Sequence, residues 1–348
     1  MKTRLLLLPL TLALVAALAA GCGGGGGSGS VPADSIAKVG STSITKTTFN
    51  ALLDYGFARY TAQGQPKPKV GTSAYTQLSQ QAVSFLVQEE EFRQEGERLG
   101  VTVTQKDIDH QVQLIKKAYY KGSDKQLEAA LKKDHITLAQ VEQYNIRPNL
   151  LSQKLQAKVT SSVKVSKAAA QTYYNQNKAS FTAPPTREVR HILVSSKSLA
   201  EKLEAKLKDG ASFAKLAKQY SKDTGSAQQG GKLCVAHGGS SGACQQTVAP
   251  FDKAAFALKA REISQPVHSQ YGWHIIQALG PVKPAHTQSF KEVEAQIESS
   301  LAQQQKQVAW SNWLAKVTKD FKGKVAFQTG YQPLTTTTPT TPTTTTTG

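Results

Sequence analysis

Two consecutive prolines, Pro184 and Pro185, divide this sequence into segments with different hydrophobic periodicity. Proline has no backbone N–H and keeps the preceding residue out of helical geometry, so no helix crosses this point. Before the prolines, apolar residues recur at steps of three and four, as they do from Tyr75 to Leu99. Directly after them, residues 187–194 have the pattern of a half or fully buried strand. The sequence therefore predicts helices followed by strands, with a domain boundary near residue 184.

Helical periodicity returns downstream of Pro284, from Phe290 to about Val317. The apolar stripe of this last helix cannot be buried by the helix alone, so we expect it to pack on the helices that precede residue 182. The predicted fold class is α+β, with a strand-containing domain inserted into a mostly helical domain. Within the insert, residues 224–242 are rich in Gly, Ser and Gln and are predicted to form a loop.

The N-terminus has the pattern of an export signal. A short positive segment, Met1–Arg4, precedes the apolar run Leu5–Ala20, which ends in small residues just before Cys22. A cysteine in this position, followed by glycines, resembles a bacterial lipobox with a flexible tether, and Cys22 would then be lipidated. A plain signal peptide and an uncleaved anchor are the alternatives, because Ala19 occupies a position where lipoboxes most often have Leu.

The sequence is strongly basic, and export determines which anionic partners such a surface can meet. The sequence has 42 Lys and Arg against 24 Asp and Glu, a net charge of +18. Outside the cytoplasm such a surface meets anionic lipid, wall polymers and acidic client chains, and the basic residues form no compact nucleic-acid motif. We therefore expect no nucleic-acid partner. The three cysteines show no Cys/His spacing of a zinc site, so we expect no metal and no cofactor.

The predicted organisation follows from these patterns. It comprises a lipoprotein signal peptide at 1–21, a Gly/Ser tether at 22–30, the N-terminal part of the helical domain at 31–182, the strand-containing domain at 185–281, a C-terminal helix that completes the helical domain at 285–322, and a disordered Thr/Pro tail at 333–348.

Four stretches of the insert resemble parvulin-type peptidyl-prolyl cis-trans isomerases, in the order that the family has them. They are REVRHILV at 187–194, YSKDTGSA with GGKL at 220–233, FDKAAFAL at 251–258, and ISQPV with YGWHII at 263–276. The resemblance covers about residues 185–281 and implies a small antiparallel-type sheet flanked by helices. The flanking helical region is similar in layout to the chaperone domain of bacterial extracytoplasmic foldases of the PrsA and SurA type.

Rotation about an X–Pro bond has a barrier of roughly 18–20 kcal/mol and breaks no covalent bond, so it requires neither a nucleophile nor a metal. An apolar cup for the proline ring and polar groups near the twisted amide lower such a barrier. Phe251 and Phe256 are the predicted walls of the cup; for Phe256, simple core packing is an equal alternative. The family has a further apolar residue before Phe251, and Val248 or Thr247 stands near that position here.

The resemblance also implies the polar residues of the site. His191 and His274 match the two histidines that the family places on adjacent strands, and Asp223 matches a position that is often Asp or Cys. For Asp223 the alternative is a capping or turn role, with Thr224 at the family position instead. These three are the predicted catalytic residues. Ser269 and Tyr271 are predicted to contact substrate, the former at a position that often has a hydroxyl.

Two cysteines remain once Cys22 is lipidated, and both flank a Gly/Ser-rich stretch in an exported chain. We predict a disulfide bond between Cys234 and Cys244. The predicted function is that of an exported foldase, lipid-anchored at the extracytoplasmic face of the cell membrane, which isomerises X–Pro bonds in unfolded or nascent secreted proteins. The alternative is a holdase chaperone whose parvulin module is catalytically weak or inactive.

Overall fold

The computed structural model describes residues 30–332, and these residues form two compact units. The first unit, here called the helical unit, comprises residues 30–164 and 303–332, and the second, the sheet unit, comprises residues 165–302. The predicted signal peptide at 1–21, Cys22 with its tether up to residue 29, and the predicted tail at 333–348 lie outside the described residues.

The helical unit begins with a β-hairpin and continues with helices. Its elements are β1 (Ser35–Val39), β2 (Thr42–Thr45), α1 (Lys46–Ala62), α2 (Ser73–Leu99), α3 (Gln105–Tyr120), α4 (Asp124–Lys133), α5 (Leu138–Val141), a π-helical turn (Glu142–Ile146) and α6 (Arg147–Val159). Threonine side chains cap α1, α2, α3 and α5 at their N-termini, as Thr45 does by accepting from the backbone N–H of Thr48.

The C-terminal segment completes the core of the helical unit. The last strand, β9 (Val325–Phe327), pairs antiparallel with β1. Trp313 and Leu314, near the end of helix α12 (Phe290–Phe321), are buried in one apolar cluster with residues of α1 and α2. The ring of Phe92 on α2 lies 5.5 Å from that of Trp313. The expected packing of the last helix on the N-terminal helices, and with it the α+β fold class, is confirmed.

The sheet unit contains the remaining elements. They are α7 (Lys167–Gln176), a 3₁₀ turn (Lys178–Phe181), β3 (Thr182–Ala183), β4 (Thr186–Val194), α8 (Lys197–Lys208), α9 (Phe213–Tyr220), α10 (Thr224–Ala227), β5 (Lys232–Ala236), α11 (Ala249–Ala257), β6 (Val267–Ser269), β7 (Gly272–Ala278) and β8 (His286–Thr287), followed by the first part of α12. Strands β3 and β8 form a separate antiparallel pair.

The four-stranded sheet has the order β5-β4-β7-β6, and all neighbouring strands are antiparallel. Side chains alternate between its faces. One face, with Ile192 and Ile275, is buried in a cluster with residues of α8 and α9. The other face, with Val189 and Ile276, is buried in a cluster with Phe251 of α11. The small antiparallel sheet flanked by helices is confirmed, and the second face is the one that contains the candidate site.

Two local predictions differ from the structure. Residues 224–242, predicted to form a loop, contain α10 and β5, because β5 finds its hydrogen-bond partners on β4. The domain boundaries also differ from the predicted 31–182 and 285–322. Residues 165–182 and 285–302 belong to the sheet unit, since Tyr174 is buried with Val293 in a small apolar cluster of that unit.

No helix within residues 30–332 combines the length and the apolar character that crossing a bilayer requires.

Candidate active site

Two histidines of the candidate site lie on the central strands of the sheet. In the antiparallel register, His191 of β4 is opposite Ile276 of β7, and His274 of β7 is opposite Leu193 of β4. Residues two apart on a strand share a face, so both imidazoles lie on the face that α11 covers. They are only 5% and 4% exposed. The sheet register therefore brings together two polar side chains that are 83 residues apart in sequence.

The two imidazoles contact one another and the ring of Phe251. The His191 and His274 rings are nearly parallel, with centroids 5.7 Å apart, and their Nδ1 atoms are 3.5 Å apart. Phe251 meets both rings edge to face, at 5.3 Å from His191 and 5.2 Å from His274. The three rings thus form a compact group in which an apolar wall stands against two polar rings.

Asp223 binds the outer side of His191. Its Oδ2 atom lies 2.8 Å from Nε2 of His191, and its Oδ1 atom accepts the backbone N–H of Gly225 at 3.1 Å. The hydroxyl of Ser226 donates to the same carboxylate and lies 3.1 Å from Nε2 of His191. Asp223 is the N-cap of the short helix α10, and its side chain is 32% exposed. The carboxylate is therefore the point at which this network reaches solvent.

Ser269 binds the outer side of His274. Its hydroxyl lies 2.7 Å from Nε2 of His274 and accepts the backbone N–H of Tyr271 at 3.1 Å. Both groups belong to the tight β6–β7 turn, where Gly272 has φ +128° and a Cβ would collide with the carbonyl oxygen of Val194. Glycine at this position lets the turn approach β4 closely enough to hold Ser269 beside His274.

The hydrogen bonds fix the position of each imidazole proton. An ionised carboxylate only accepts, so His191 donates from Nε2 to Asp223 and its Nδ1 is an acceptor. His274 then donates from Nδ1 to His191, and its Nε2 accepts the hydroxyl proton of Ser269. The result is one directed chain from Ser269 to Asp223 in which both imidazoles are neutral.

Burial favours the same neutral state. Loss of solvation lowers the pKa of His274 to about 4, with a further contribution from the neighbouring His191. Desolvation also lowers the pKa of His191, against the opposing influence of Asp223. The pKa of Asp223 is lowered although burial alone raises it, because hydrogen bonds from Ser226 and His191 stabilise the carboxylate. At neutral pH the site holds two uncharged imidazoles and one carboxylate.

A glycine fixes the backbone of His191. Gly231 has φ +80°, a left-handed conformation that side chains disfavour, and its carbonyl accepts the N–H of His191 at 2.8 Å. A Cβ on Gly231 would collide with the carbonyl oxygen of His191. The Gly230-Gly231 pair of the sequence therefore lets the chain before β5 pass directly beside the histidine.

Comparison with known proteins identifies the family of this chain. Residues 165–295 match the family model described as PPIC-type PPIASE domain, and residues 1–156 match a SurA-like N-terminal domain. The foldase protein PrsA of Clostridium botulinum strain Langeland is 34% identical over 263 residues, which is 74% of this chain and 76% of the relative. This chain belongs to the PrsA foldase family.

The PrsA foldase of Caldanaerobacter subterraneus is also 34% identical, over 285 residues that are 80% of this chain and 82% of the relative. A solved SurA-like chaperone of Campylobacter jejuni is 23% identical and covers 81% of this chain and 96% of its own, with a TM-score of 0.43. Membership in the PrsA family and a parvulin-type peptidyl-prolyl isomerase domain make this chain a foldase with isomerase activity, as the sequence resemblance implied.

The predicted site residues of this PrsA-family chain do not all lie together. His191, His274, Asp223, Ser269 and Phe251 form the group described above. The remaining predicted substrate-binding residues lie around this group. Val248, the N-cap of α11, and Phe256 are both partly buried in the Phe251 cluster, and the centroid of the Phe256 ring lies 4.9 Å from that of His237. Tyr271 lies in the β6–β7 turn and is 63% exposed.

The predicted cysteine pair is joined in the structure. A disulfide bond connects Cys234 of β5 to Cys244, whose Cα atoms are 4.4 Å apart. The backbone N–H of Gln245 donates to the carbonyl of Cys234, so the two chain segments run side by side at the bond. Within residues 30–332, no cluster of three or more His, Cys, Asp or Glu side chains could hold a metal ion.

Sequence reasoning missed two polar contacts. Ser226 bridges Asp223 and His191, and its position three residues after Asp223 was a usable signal, because an N-cap side chain commonly bonds to groups two or three residues ahead. The second contact joins His237 to Asp252, whose Nδ1 and Oδ2 atoms lie 2.8 Å apart. No local pattern links these two residues, since the contact depends on the packing of α11 beside the end of β5.

Proposed function

We propose that this chain is an extracytoplasmic, membrane-tethered foldase whose sheet unit isomerises X–Pro bonds at the group formed by His191, His274, Asp223 and Phe251. The observation that supports this most directly is the directed chain of hydrogen bonds through two buried, neutral imidazoles next to an aromatic wall. PrsA-type foldases are extracytoplasmic, which agrees with the export signal predicted at the N-terminus.

The proposed mechanism uses burial and fixed dipoles. When an X–Pro amide twists, its conjugation is lost and the charges on its nitrogen and oxygen change. A water-poor pocket with preorganised polar groups stabilises that state more than water does, because its dipoles need no reorganisation. His191 and His274 supply such dipoles without charge, and Asp223 adds a negative charge at the solvent side. No proton leaves the substrate and no bond is broken.

The proline ring is proposed to sit against Phe251. Phe251 is only 2% exposed, and its cluster includes the partly buried Leu233 and Val248. Because Phe251 is this deeply buried, entry of a proline requires side chains of the cluster to move and uncover its ring, while Tyr271 at the exposed turn contacts the substrate chain. This step makes the pocket selective for a compact apolar ring.

Clients are proposed to be unfolded secreted proteins, held by the helical unit. Large apolar side chains are exposed on that unit, among them Val70, Leu114, Tyr119 and Val308. Such side chains offer weak, non-directional contacts to an unfolded chain, since apolar contact does not depend on a particular sequence.

Phe251→Ala and His274→Ala test the site. Each should lower kcat/KM for a proline tetrapeptide at least tenfold, which is about 1.4 kcal/mol of transition-state stabilisation, because one removes the apolar wall and the other breaks the imidazole pair. Suppression of client aggregation by the full chain should persist in both variants.

Phe213→Ala is the matched control. Phe213 is equally buried but lies in the cluster on the opposite face of the sheet, so its loss should reduce stability without reducing kcat/KM in the folded fraction. All variants are first compared by their unfolding transitions. Folded Phe251→Ala and His274→Ala proteins with wild-type activity would show that the site is misplaced, and an inactive wild type that still suppresses aggregation would favour the holdase alternative.

A further inference from the structure

Arg187 is an arginine that the sheet unit buries almost completely. It is 1% exposed and lies on β4, four residues before His191 and on the same face of the sheet. None of the ion pairs within residues 30–332 involves it. A buried guanidinium without a carboxylate partner is costly unless other acceptors satisfy its N–H groups.

Backbone carbonyls are those acceptors. Nη1 of Arg187 donates to the carbonyl of Ala255 at 2.8 Å and to that of Leu258 at 2.6 Å. Nε and Nη2 donate to the carbonyl of Gly280, at 3.1 and 3.0 Å. Four hydrogen bonds thus join one side chain of β4 to the end of α11 and to the segment that follows β7.

The contact is electrostatically suited to the end of a helix. The last carbonyls of a helix lack intrahelical partners and form the negative end of its dipole, so a cation placed there stabilises the helix and fixes its position. Ala255 lies in the last turn of α11, one turn after Phe251, and both side chains are buried against the sheet. Holding Ala255 therefore also holds the part of the helix that presents Phe251.

We infer that Arg187 is a positioning residue of the isomerase site: by binding the C-terminal carbonyls of α11, it keeps Phe251 against the imidazoles of His191 and His274. The inference rests on the proposed function for its catalytic consequence. The dependence of the Phe251 position on Arg187 rests only on the hydrogen bonds of Arg187 to the backbone carbonyls.

Arg187→Met tests this, because methionine fills part of the space and donates no hydrogen bond. Arg190→Met is the matched control. Arg190 is on the same strand but on the opposite face, where its guanidinium lies over the ring of Phe213 and donates to Gln277. Arg187→Lys, which keeps the charge but cannot reproduce the four bonds, is the second variant in case Arg187→Met does not fold.

The measurements are kcat and KM for a proline tetrapeptide and the NMR resonances of the two imidazoles. Phe251 stands edge to face with both imidazoles, so its ring current shifts their C–H protons, and a displaced Phe251 alters these shifts. In Arg187→Met we expect kcat/KM to fall at least fivefold and both imidazole signals to move toward those of Phe251→Ala. Arg187→Lys should fall between wild type and Arg187→Met, and Arg190→Met should stay within twofold of wild type with unchanged imidazole signals.

Wild-type kcat/KM and unchanged imidazole signals in the folded Arg187 variants would overturn the inference. Equal losses in Arg187→Met and Arg190→Met would also overturn it, since they would report a general loss of stability. If the wild type itself has no isomerase activity, the proposed function fails and the imidazole signals alone decide: displaced signals support the positioning role, and unchanged signals contradict it.

Discussion

One polar residue on each side of the imidazole pair, the carboxylate of Asp223 and the hydroxyl of Ser269, decides which protons the pair holds. Ser269 gives His274 an acceptor role at Nε2, and Asp223 with Ser226 gives His191 a donor role at Nε2. The remaining Nδ1 atoms then match as donor and acceptor. Because His191 accepts at Nδ1 from Nδ1 of His274, protonation of His191 would leave two N–H donors facing each other.

The protonation state of the pair is therefore a prediction at the residue scale. Histidine in the unfolded chain titrates near 6.5, whereas the folded pKa of His274 is about 4, so folding favours the neutral form. The corresponding stability is fully present above about pH 6.5 and is lost as the pH falls to about 4. Relative to His274→Gln, the wild type should lose on the order of 3 kcal/mol across this window.

NMR titration of the imidazole resonances checks this directly. His274 should titrate with a midpoint near pH 4, and the nitrogen shifts at pH 7 should show a proton on Nδ1 of His274 and on Nε2 of His191. The comparison with His274→Gln is needed because burial raises the pKa of Glu89 and Glu91 to about 7, and the contribution of these two carboxyl groups to stability changes with pH in the opposite direction. A His274 midpoint at or above 6.5 would contradict the buried, neutral pair.

At the scale of elements, the edge strand β5 lies beside His191 and leads through a loop to α11, the helix that contains Phe251. Its residues pair with β4 from Thr186 to Arg190, just before His191, and the glycines before it allow the close approach to that histidine. After β5 the chain continues into the disulfide-closed loop and then into α11. The loop thus connects the strand beside His191 with the helix that presents Phe251.

The disulfide bond between Cys234 and Cys244 is predicted to restrain this loop in the secreted protein. Closing so short a loop should stabilise the folded state by at most ~3 kcal/mol on the chain-entropy estimate. A double Cys→Ser variant should therefore fold, with a lower free energy of unfolding.

Alkylation followed by mass spectrometry checks the bond in the native protein. The two cysteine-containing peptides should be joined before reduction and separate after it. Two alkylated free thiols in the unreduced native protein would disprove the pairing.

At the scale of the whole molecule, residues 30–164 and 303–332 form one unit, and the residues between them, 165–302, form the other. Strand β9 pairs with β1, and Trp313 is buried with residues near the N-terminus, so the helical unit is complete only after the sheet unit has been traversed. Contacts of such high sequence separation cost more loop-closure entropy than contacts between residues that are close in sequence. The sheet unit, by contrast, is continuous in sequence.

Attachment to a membrane is the prediction at this scale. If Cys22 is lipidated, the wild type should partition with membranes and into detergent, and Cys22→Ser should be released or remain unprocessed. Fractionation and intact-mass measurement of the mature N-terminus check this. A soluble wild type that begins at another residue, without a lipid mass, would favour the plain signal peptide.

Local patterns in the sequence predicted the helical region, the strands that contain both histidines, the insertion of a strand-containing domain into a helical one, and the family, but not α10 and β5 within residues 224–242. Threonine caps, the paired prolines and the period of apolar residues act over a few residues, and the motifs at 187–194 and 263–276 identified both histidines. Only the tertiary structure decided the hydrogen-bond direction through the imidazoles, the contact of His237 with Asp252, and the burial of Arg187 beneath α11. Each of these depends on strand register and helix packing between residues far apart in sequence, where no local pattern specifies the partner.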